Sequence, residues 1–504
     1  MERRALAQTI LDGARTARLE DDACARPGGN GEGGIAGAEI AARCETLAAA
    51  LAAAGLAPNE PVLVAASNRA ADPIAILAVW RAGGVAVPVH RRAHPEAASA
   101  LVAASRARLL LDSEPGLESV WPRGAPVATL CAAPPPARSL LEEAALVTFT
   151  SGSTGEPKGV VLSAARTAAK FASIAERLRF KPGARSFVPL QLTFSFGQWV
   201  TFLTLMRGGI VRLTERVDPA RLAAEDRAAP FDYLAMVPTT IRALLADPAA
   251  PADPAAGAGF TGQVLTGGEA LPIAAGRAVK RAWPGVRLSS IYGLTETGTC
   301  DFFLDDADFA EAAAGADAAE GAEAAAGDPL SLGRVAPDVA FRIDPATGEL
   351  LIRSPYRMLG YLDRPEATAA VLDADGWLRT GDRARDLGGG RAALAGRLKE
   401  MINRAGNKIA PLEVERAFAD HPDLAAVLAA GAPDARLGEA IHLLVVPRPG
   451  RAPDLPALRA WAAARLPRYK LPDRLHRADR LPVGRTGKAD RGELRRMLEA
   501  GAFD

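Results

Sequence analysis

Short apolar runs alternate with alanine-rich helical patterns over residues 35–240, and this alternation restricts the possible folds more than any other feature. The runs at 61–67, 83–89 and 107–112 read PVLVAAS, GGVAVPV and ARLLLD, and they predict short buried strands. Residues 37–56 instead carry apolar side chains at helical spacing and stop near a glycine. Strands that alternate with helices predict parallel sheets covered on both faces.

The sequence pattern changes after residue 330. The runs VAFRID, GELLIRS and GWLRTGD predict short strands separated by turns, as in a small antiparallel barrel or meander. Further on, helical segments with one IHLLVVP strand predict a small α+β domain. Because 504 residues are too many for one core, we expect two domains, 1–396 and 397–504. The acidic, alanine-rich segment 308–328 is expected to be a solvated helix or a floppy insertion without a function.

Charge and cysteine content argue against several classes of protein. The formal net charge of +1 gives no reason to expect nucleic acid or an anionic membrane as a partner. The first residues lack the apolar segment of a signal peptide, and no apolar run is long enough to span a membrane. The four cysteines show no CxxC pair, which argues against a disulfide framework or a zinc site. We therefore expect a cytoplasmic protein.

The segment TFTSGSTGEPKGVV, residues 148–161, places glycines, hydroxyl residues and one lysine between apolar flanks. Glycines let backbone N–H groups approach an anion, hydroxyls add donors and Lys158 adds positive charge, so the segment predicts a phosphate-binding loop. The P-loop pattern of nucleoside triphosphatases does not fit, because Gly159 follows the lysine where a magnesium-binding Ser or Thr is needed. A flexible surface loop is the alternative.

Lysine is rare in this chain, with eight lysines among the 60 basic residues. A lysine ammonium is compact and mobile, whereas a guanidinium is a bulky planar fork. The retained lysines are therefore candidates for roles that arginine cannot fill. Four of them lie in motif-like segments, namely Lys158, Lys399, Lys408 and Lys488.

Two internal segments add groups suited to a nucleotide. SSIYGLTETGT, residues 289–299, places Glu296 beside Thr295, and a lone carboxylate among hydroxyls suits a hard cation such as Mg²⁺. GWLRTGD ends on Asp382, which is suited to accept hydrogen bonds from a ribose diol. A plain turn residue is the alternative for Asp382.

Two later segments carry basic residues. GRLKEMINRAGNKIAP, residues 396–411, contains Arg397 and Lys399 near the expected domain boundary. LPVGRTGKADRGE, residues 481–493, holds Lys488 on a second glycine-containing loop. A solvated surface charge is the alternative for Lys488.

In their order and spacing these five segments resemble the adenylate-forming superfamily, which includes acyl- and aryl-CoA synthetases, peptide-synthetase adenylation domains and firefly luciferase. The resemblance runs from about residue 35 to about 497, and the segments at 265–272 and 348–368 add to it. It implies an α/β multidomain fold. A large N-terminal domain would hold two doubly wound αβαβα-type subdomains plus a small distorted β-barrel, followed by a small mobile α+β C-terminal domain.

The resemblance also implies an activity and a role for each matching residue. ATP and Mg²⁺ would convert a carboxylic acid into an acyl-adenylate with release of pyrophosphate, and the acyl group would pass to coenzyme A. Lys488 would bridge the acid and the α-phosphate, acting with Thr295 and with Glu296, the Mg²⁺ ligand. Lys399 would be the hinge, and Gly406 would line the path of the thiol. The residues implied to bind ATP are Thr150, Ser151, Gly152, Ser153, Thr154, Gly155, Lys158, Gly268, Glu269, Ala270, Tyr292, Gly293, Leu294, Asp382 and Arg397.

The implied acyl pocket lies around PLQLTFSFGQWVTF, residues 189–202, and comprises Phe194, Phe196, Gly197 and Trp199 together with Gly293. Peptide synthetases carry a Phe-Asp pair here, whose aspartate binds an α-ammonium. Phe196-Gly197 replaces that pair, and burying an amine without a counter-ion is costly, so α-amino acids are excluded. Phe194 stands where many acyl-CoA ligases have a histidine, so the histidine's role does not carry over. The aromatic residues favour an uncharged apolar tail, unless they are simply core.

The acid and the acceptor stay open at this point. FDYLAMVPTTIRALLADP followed by LTGGEALP resembles the benzoate-type aryl-CoA ligases, which favours an aryl or short-to-medium acyl acid. Coenzyme A is the expected acceptor, and the phosphopantetheine of an acyl carrier protein acting in trans is the alternative. A luciferase-like oxidoreductase and a non-catalytic nucleotide-binding protein are more distant alternatives.

Overall fold

The structure is a computed structural model. It describes residues 2–22, 34–122, 124–131, 135–151, 157–246, 260–268, 271, 273–307, 330–484 and 489–503.

Helices α1 to α13 and strands β1 to β25 are numbered in chain order over this part of the chain. The helices are Arg3–Gly13, Gly37–Ala53, Asp72–Ala82, Pro95–Ser105, Ala164–Arg177, Ser195–Met206, Pro219–Ala228, Pro238–Ala246, Ile273–Ala282, Pro365–Val371, Pro411–Arg416, Leu455–Ala463 and Arg491–Glu499. The strands are Arg18–Glu20, Ile35–Ala36, Pro61–Ala66, Val85–His90, Leu109–Asp112, Val127–Thr129, Ala144–Ser151, Pro157–Ser163, Arg185–Val188, Ile210–Leu213, Tyr233–Met236, Gln263–Gly267, Arg287–Tyr292, Phe302–Leu304, Leu330–Val335, Ala340–Ile343, Glu349–Arg353, Gly360–Tyr361, Leu378–Gly388, Arg391–Arg397, Ile402–Arg404, Asn407–Ile409, Leu424–Asp434, Gly438–Pro447 and Arg474–Arg477.

Two largely parallel sheets form the N-terminal part, as the alternation predicts. One has the strand order β18-β8-β7-β4-β3-β5-β6, and the other contains β13-β12-β11-β9-β10-β1 in that order. Strand β3 is buried along its whole length, and it pairs in parallel with β4 and β5. Helix α3 covers this sheet with an almost wholly buried apolar run and ends where Gly83 takes a φ of 91°, which lets the chain turn into β4. The predicted doubly wound architecture is therefore confirmed.

One face of helix α1 and part of strand β1 belong to the core, which the sequence pattern did not predict. Leu6 and Ile10 of α1 are fully buried, and α1 packs on α3 and α6. Strand β1 adds to the large sheet by pairing in parallel with β10. Helix α1 contains only 11 residues and begins with two arginines, so its apolar stripe is short.

The predicted meander is present, but the described strands do not close into a barrel. Strands β16, β17, β19, β20 and β15 follow one another as antiparallel neighbours, and β15 continues through β14 to β13 of the parallel sheet. Strands β14 and β15 each have a neighbour on both sides, so neither has a free edge with which β16 could pair to close a barrel. Strand β16 therefore lies at the end of the sheet and pairs with β17. The small barrel implied by the resemblance is thus an open extension of the large sheet.

The C-terminal part has its own sheet and its own core. Strands β22-β21-β24-β23 form the sheet, with β25 beside β24. Its main apolar cluster runs from Ile402 to Leu471, whereas the large N-terminal cluster and the side chains packed against it end at Leu394. This separation supports domains at 1–396 and 397–504, a division that we retain as a proposal.

Several predicted features lie outside the described residues. They are the loop interior Gly152, Ser153, Thr154 and Gly155, the pair Glu269 and Ala270, the acidic segment 308–328, and Lys488. Among the helices that the structure describes, none has the length and apolar character needed to cross a membrane.

Candidate active site

The glycine-rich segment connects the two strands of a hairpin. Strands β7 and β8 pair antiparallel, with Thr150 opposite Lys158 and Ser151 opposite Pro157, so the two ends of the segment lie side by side. The two-residue strand β18 pairs with β8 and places Tyr361 beside this hairpin. The Lys158 ammonium lies 5.1 Å from the centre of the Tyr361 ring. The hairpin therefore presents a cation at one end of the segment predicted to bind phosphate.

The Glu296 carboxylate faces the same tyrosine. The Tyr361 hydroxyl donates a hydrogen bond to Oε1 of Glu296 at 3.0 Å. Burial, together with the Glu296 charge, raises the pKa of Tyr361. The peptide N–H of Met358 donates to the Glu296 carbonyl at 2.8 Å, which fixes the backbone of this turn. Tyr361 thus contacts both Lys158 and Glu296, two residues that are far apart in the sequence.

The residues around Glu296 fit a magnesium ion shared with a ligand. Tyr361 occupies Oε1 only, and within the described residues the structure shows no protein group bound to Oε2. A search of the same residues finds no cluster of three or more His, Cys, Asp or Glu side chains. A hard cation held here would therefore take one protein carboxylate and complete its shell with other oxygens, as Mg²⁺ commonly does with phosphates.

Asp382 is buried and holds two of the other predicted residues. Its Oδ2 accepts a hydrogen bond from the Tyr292 hydroxyl at 2.7 Å, and its Oδ1 accepts one from Nε of Arg397 at 2.8 Å. Arg397 is directly opposite Asp382 in the β19–β20 pair, so the sheet register sets this ion pair. Burial first, and then the Asp382 charge, raises the pKa of Tyr292 well above its usual value. At neutral pH the tyrosine therefore remains a donor to this carboxylate.

Several of the residues predicted to bind ATP lie at the carboxyl edge of the parallel sheet. Strands β12 and β13 pair in parallel with Gly267 opposite Ile291, so Gly268 and Tyr292 follow at the same edge. Gly293 packs against the backbone beyond this edge, because a Cβ added there would meet the Cys300 nitrogen at 2.3 Å. Leu294 accepts the N–H of Thr299 at 2.8 Å, which closes the turn that carries Glu296. Ligands of open α/β sheets bind at such carboxyl edges.

A pocket adjoins this turn on the side of helix α6. Ser195, the first residue of α6, donates to the Thr295 hydroxyl at 3.3 Å, and it lines the pocket together with Gly298. Trp199 is almost fully buried and forms part of the wall. The remaining lining residues are Leu146, Leu162, Arg166, Thr167, Lys170, Phe171, Gln198, Thr299 and Tyr356.

The other predicted acyl-pocket residues lie near this pocket without lining it. Phe196 stacks on Trp199, with ring centres 5.5 Å apart, and packs against the large core. Phe194 precedes α6 in extended conformation. Gly197 packs against the backbone of Gln191, where a Cβ would meet the carbonyl oxygen at 2.7 Å. Their assignment to the acyl pocket stays a prediction.

The predicted hinge and thiol-path residues begin the C-terminal part. Lys399 lies in the short 3₁₀ turn Leu398–Glu400, directly after Arg397. Burial first, and then the positive charges of Arg397 and Lys158, lowers the pKa of Lys399. Gly406 occupies the turn between β21 and β22 with a φ of 81°, and a Cβ added there would meet no atom of the described residues within 4 Å. Both roles stay predictions.

Two residues of this region were not singled out from the sequence. Tyr361 lies in GELLIRSPYRMLGYLDRPEAT, a segment whose resemblance was noted without assigning the tyrosine a role. Lys170 is one of only eight lysines, and that rarity is the only signal it offers. It lies in the second turn of α5, whereas Lys158 belongs to strand β8, and the burial of Lys170 on a pocket wall depends on packing between distant segments.

Comparison with known proteins agrees with this geometry. Residues 17–362 match the family of AMP-binding enzymes, and residues 413–488 match the C-terminal domain of AMP-binding enzymes. The chain is 32% identical over 498 residues to a feruloyl-CoA synthase of Amycolatopsis sp, with 96% of this chain and 98% of that protein covered. An indoleacetate–CoA ligase of Aromatoleum aromaticum is 30% identical over 508 residues, covering 92% of this chain and 94% of that protein.

A solved structure extends the likeness to three dimensions. The amide bond synthetase McbA from Marinactinospora thermotolerans superimposes with a TM-score of 0.80 at 25% identity, covering 98% of this chain and 100% of that chain. The family matches cover well over half of the chain, so this protein belongs to the AMP-binding enzymes, the adenylate-forming superfamily of ligases. The expected fold, with a large N-terminal and a small C-terminal domain, agrees with the structures of such enzymes.

Proposed function

We propose that this protein uses ATP to convert an aryl or short-to-medium acyl carboxylic acid into its acyl-adenylate, releasing pyrophosphate, and then transfers the acyl group to coenzyme A. One observation carries most of this proposal. Lys158 of the phosphate-loop hairpin and Glu296 of the β13 turn both contact Tyr361. A cation suited to phosphates and a carboxylate suited to Mg²⁺ thus lie together beside a pocket with apolar walls.

The chemical problem in the first step is negative charge. A carboxylate must attack an α-phosphate that is itself negative, and charge grows on the departing pyrophosphate. In the proposed site Lys158 and the backbone of the loop bind the outer phosphates, and Glu296 holds Mg²⁺, which would neutralise phosphate charge when bound. Asp382, fixed by Tyr292 and Arg397, accepts from the ribose hydroxyls, because each of its oxygens retains a second lone pair.

Lys488 and the hinge complete the proposed cycle. We assign to Lys488 the contact between the acid and the α-phosphate, in which a mobile point charge is better suited than a guanidinium. Rotation about Lys399 would then exchange the Lys488 loop for the turn that contains Gly406, so that one site serves two reactions. A cytoplasmic location and the absence of a nucleic acid partner belong to the same proposal.

Both the acid and the acceptor of the proposal have support in the chain and its relatives. Two of the curated relatives are named for feruloyl-CoA and for indoleacetate, whose acyl groups are both aromatic. Both names also include coenzyme A, the acceptor that we propose. A phosphopantetheinylated carrier protein acting in trans is the second candidate acceptor.

ATP–pyrophosphate exchange across a panel of carboxylic acids tests this function directly. We expect exchange to depend on Mg²⁺ and on the presence of an aryl or short acyl acid. Adding coenzyme A, a phosphopantetheinylated carrier protein or an amine to the accumulated adenylate then identifies the acceptor. Exchange with no acid on the panel, despite saturable ATP binding, would contradict the proposal; light emission or oxygen consumption would instead indicate the luciferase-like alternative.

A further inference from the structure

Arg166, the third residue of α5, is a partly buried cation that is held by neutral groups. Its Nη1 donates hydrogen bonds to the carbonyls of Arg357 at 2.7 Å and Met358 at 3.1 Å. Among the residues that the structure describes, no carboxylate forms an ion pair with this guanidinium. Burial first, and then the charge of Arg357, lowers the pKa of Arg166. Removing a cation from water without a counter-ion is costly, so this arrangement calls for an explanation.

The peptide unit between Arg357 and Met358 is bound at both of its ends. Its carbonyl oxygen accepts the hydrogen bond from Arg166, and its N–H group, which belongs to Met358, donates to the Glu296 carbonyl at 2.8 Å. One rigid peptide plane therefore connects the guanidinium to the backbone of Glu296. A charged donor also polarises the peptide, which strengthens the second hydrogen bond. Arg166 thus acts on Glu296 through the backbone.

The turn that carries Glu296 packs directly on the segment 356–361. Gly298 has a φ of 87°, and a Cβ added there would meet the Tyr356 carbonyl oxygen at 2.5 Å. At the other end of the same segment, the Tyr361 hydroxyl donates to Oε1 of Glu296 at 3.0 Å. The segment therefore contacts both the backbone of this turn and its carboxylate, so a shift of the segment would displace Glu296.

The same segment is attached to the strand that carries Lys158. The N–H groups of Leu359 and Leu362 donate to carbonyls of β8, each at 2.8 Å, and β18 pairs with β8. Helix α5 begins directly after β8, so Arg166 and Lys158 belong to one continuous strand and helix. By binding the segment 356–361, Arg166 fixes Glu296 relative to Lys158.

We propose that Arg166 is a positioning residue for Glu296, and that through the peptide between Arg357 and Met358 it holds this carboxylate where Mg²⁺ and the phosphates of ATP bind together. This inference rests on the proposed function and adds a residue to it. If Arg166 only stabilised the fold, its loss would weaken the binding of ATP equally with and without the metal ion. A positioning role predicts that its loss weakens the binding of Mg²⁺–ATP selectively.

The first test measures ATP binding by equilibrium dialysis without any acid, so that no turnover occurs. Affinity is compared in Mg²⁺ and in EDTA. We expect Arg166→Met to weaken binding in Mg²⁺ by roughly 3- to 30-fold and binding in EDTA by less than about twofold, because charge-assisted hydrogen bonds are lost and part of their effect reaches Glu296. Arg166→Lys should lie between this variant and the wild type, since an ammonium can still donate to the carbonyls.

The matched control is Arg43→Met. Arg43 lies on α2, where its half-exposed side chain pairs with Glu39 of the same helix. Replacing it removes an arginine from the protein without altering the segment 356–361. This variant should bind ATP as the wild type does, both in Mg²⁺ and in EDTA.

The second test follows backbone amide exchange in protein free of nucleotide and metal. The Met358 amide donates to the Glu296 carbonyl, so its protection reports this contact. We expect peptides that cover residues 356–362 to exchange faster in Arg166→Met than in the wild type. Peptides from strand β24, Gly438–Pro447 in the C-terminal sheet, should exchange at the wild-type rate.

The possible outcomes separate this inference from the proposed function. Unchanged amide exchange in the segment, or equal losses of ATP affinity in Mg²⁺ and in EDTA, would overturn the role of Arg166 and leave the ligase assignment standing. If Arg166→Met does not fold, Arg166→Lys decides: a smaller selective loss in Mg²⁺ supports the role, and wild-type affinity contradicts it. Failure of every acid in ATP–pyrophosphate exchange would remove the proposed function, while dialysis and amide exchange would still report on Arg166.

Discussion

At the scale of single residues, the site depends on side chains whose surroundings fix their chemistry. Asp382 was predicted from its position at a strand end, and the structure adds that its carboxylate is buried between Tyr292 and Arg397. Glu296 was predicted as a lone carboxylate beside a threonine, and the structure adds a tyrosine bound to one of its two oxygens. In both cases the sequence indicated the acid, and packing supplied the group that orients it.

Tyr361 offers a test of this orienting contact. Tyr361→Phe removes the hydrogen bond to Glu296 but keeps the ring beneath the Lys158 ammonium. We expect the adenylation rate to fall by roughly 2- to 10-fold, which is the usual effect of losing one hydrogen bond. We also expect the Mg²⁺ dependence of that rate to change. Tyr469→Phe, at an exposed tyrosine, is the control and should behave as wild type. An unchanged Mg²⁺ profile in Tyr361→Phe would show that the tyrosine does not orient the metal-binding carboxylate.

Asp301 predicts a pH dependence of stability. Burial raises the pKa of its carboxyl to about 7, against the opposing effects of Lys170 and the Thr297 hydrogen bond. Between its unfolded pKa near 4 and pH 7, the native carboxyl keeps a proton that the unfolded chain has released. The free energy of unfolding therefore falls as pH rises through this window, by at most about 1.4 kcal/mol per pH unit, and levels off above it.

The variant Asp301→Asn removes this titration. From urea unfolding at pH 5 and pH 8, we expect the wild-type protein to lose more stability between the two values than Asp301→Asn does. Asp386→Asn, at an exposed strand position, should follow the wild type. If all three proteins lost the same stability between pH 5 and pH 8, the pKa of Asp301 would not be raised in the folded state.

At the scale of elements, the sequence predicted the strands and helices better than their connections. The runs at 61–67, 83–89 and 107–112 became β3, β4 and β5 because each is apolar along its length and flanked by turn residues. The glycine-rich segment was recognised as a loop after a strand, but pairing of Thr150 with Lys158 makes it a hairpin connection. Nothing in the local pattern specifies which edge a returning strand takes. The same holds for β15, whose pairing with β14 makes the expected barrel an open sheet.

The turn Leu398–Glu400 carries the prediction that concerns the hinge. Lys399→Pro fixes φ at this position, so we expect thioester formation from preformed acyl-adenylate to slow more than adenylation does. Lys399→Ala is the control for loss of charge, and it should affect the two half-reactions more evenly. Measuring both half-reactions in both variants checks this. If Lys399→Pro slowed adenylation as much as transfer, the hinge would have to lie elsewhere.

At the scale of the whole molecule, the proposed chemistry needs both domains. The C-terminal domain has a core of its own, and it meets the N-terminal domain near the Asp382–Arg397 pair, where Arg416 donates to the Leu394 carbonyl at 2.8 Å. Arg491 also ties Glu415 to Glu400, the last residue of the turn Leu398–Glu400 in which we predict the hinge. Burial opposes the charge of the guanidinium, but these carboxylates outweigh it and raise its pKa. The small domain is thus a compact body joined through a short segment, as a mobile lid requires.

Lys488 tests the contribution of that domain to the first step. We expect Lys488→Ala to lower adenylation by roughly 100-fold or more, the effect of losing one strong transition-state donor, and to spare transfer from preformed acyl-adenylate. Arg451→Ala, at an exposed arginine of the same domain, is the control and should leave both steps intact. The measurement is of each half-reaction separately. Equal losses in the two would exclude the role given to Lys488.

The sequence by itself determined the α/β class, the family resemblance and the identities of the charged residues, because strand and helix periodicity and short motifs are local properties of the chain. Only the tertiary structure decided that Lys158 and Glu296 share Tyr361, that the barrel stays open, and that Lys170 is buried on a pocket wall. These features join segments separated by many residues. They depend on which strand edges pair and which side chains are left without water, and no local pattern encodes either.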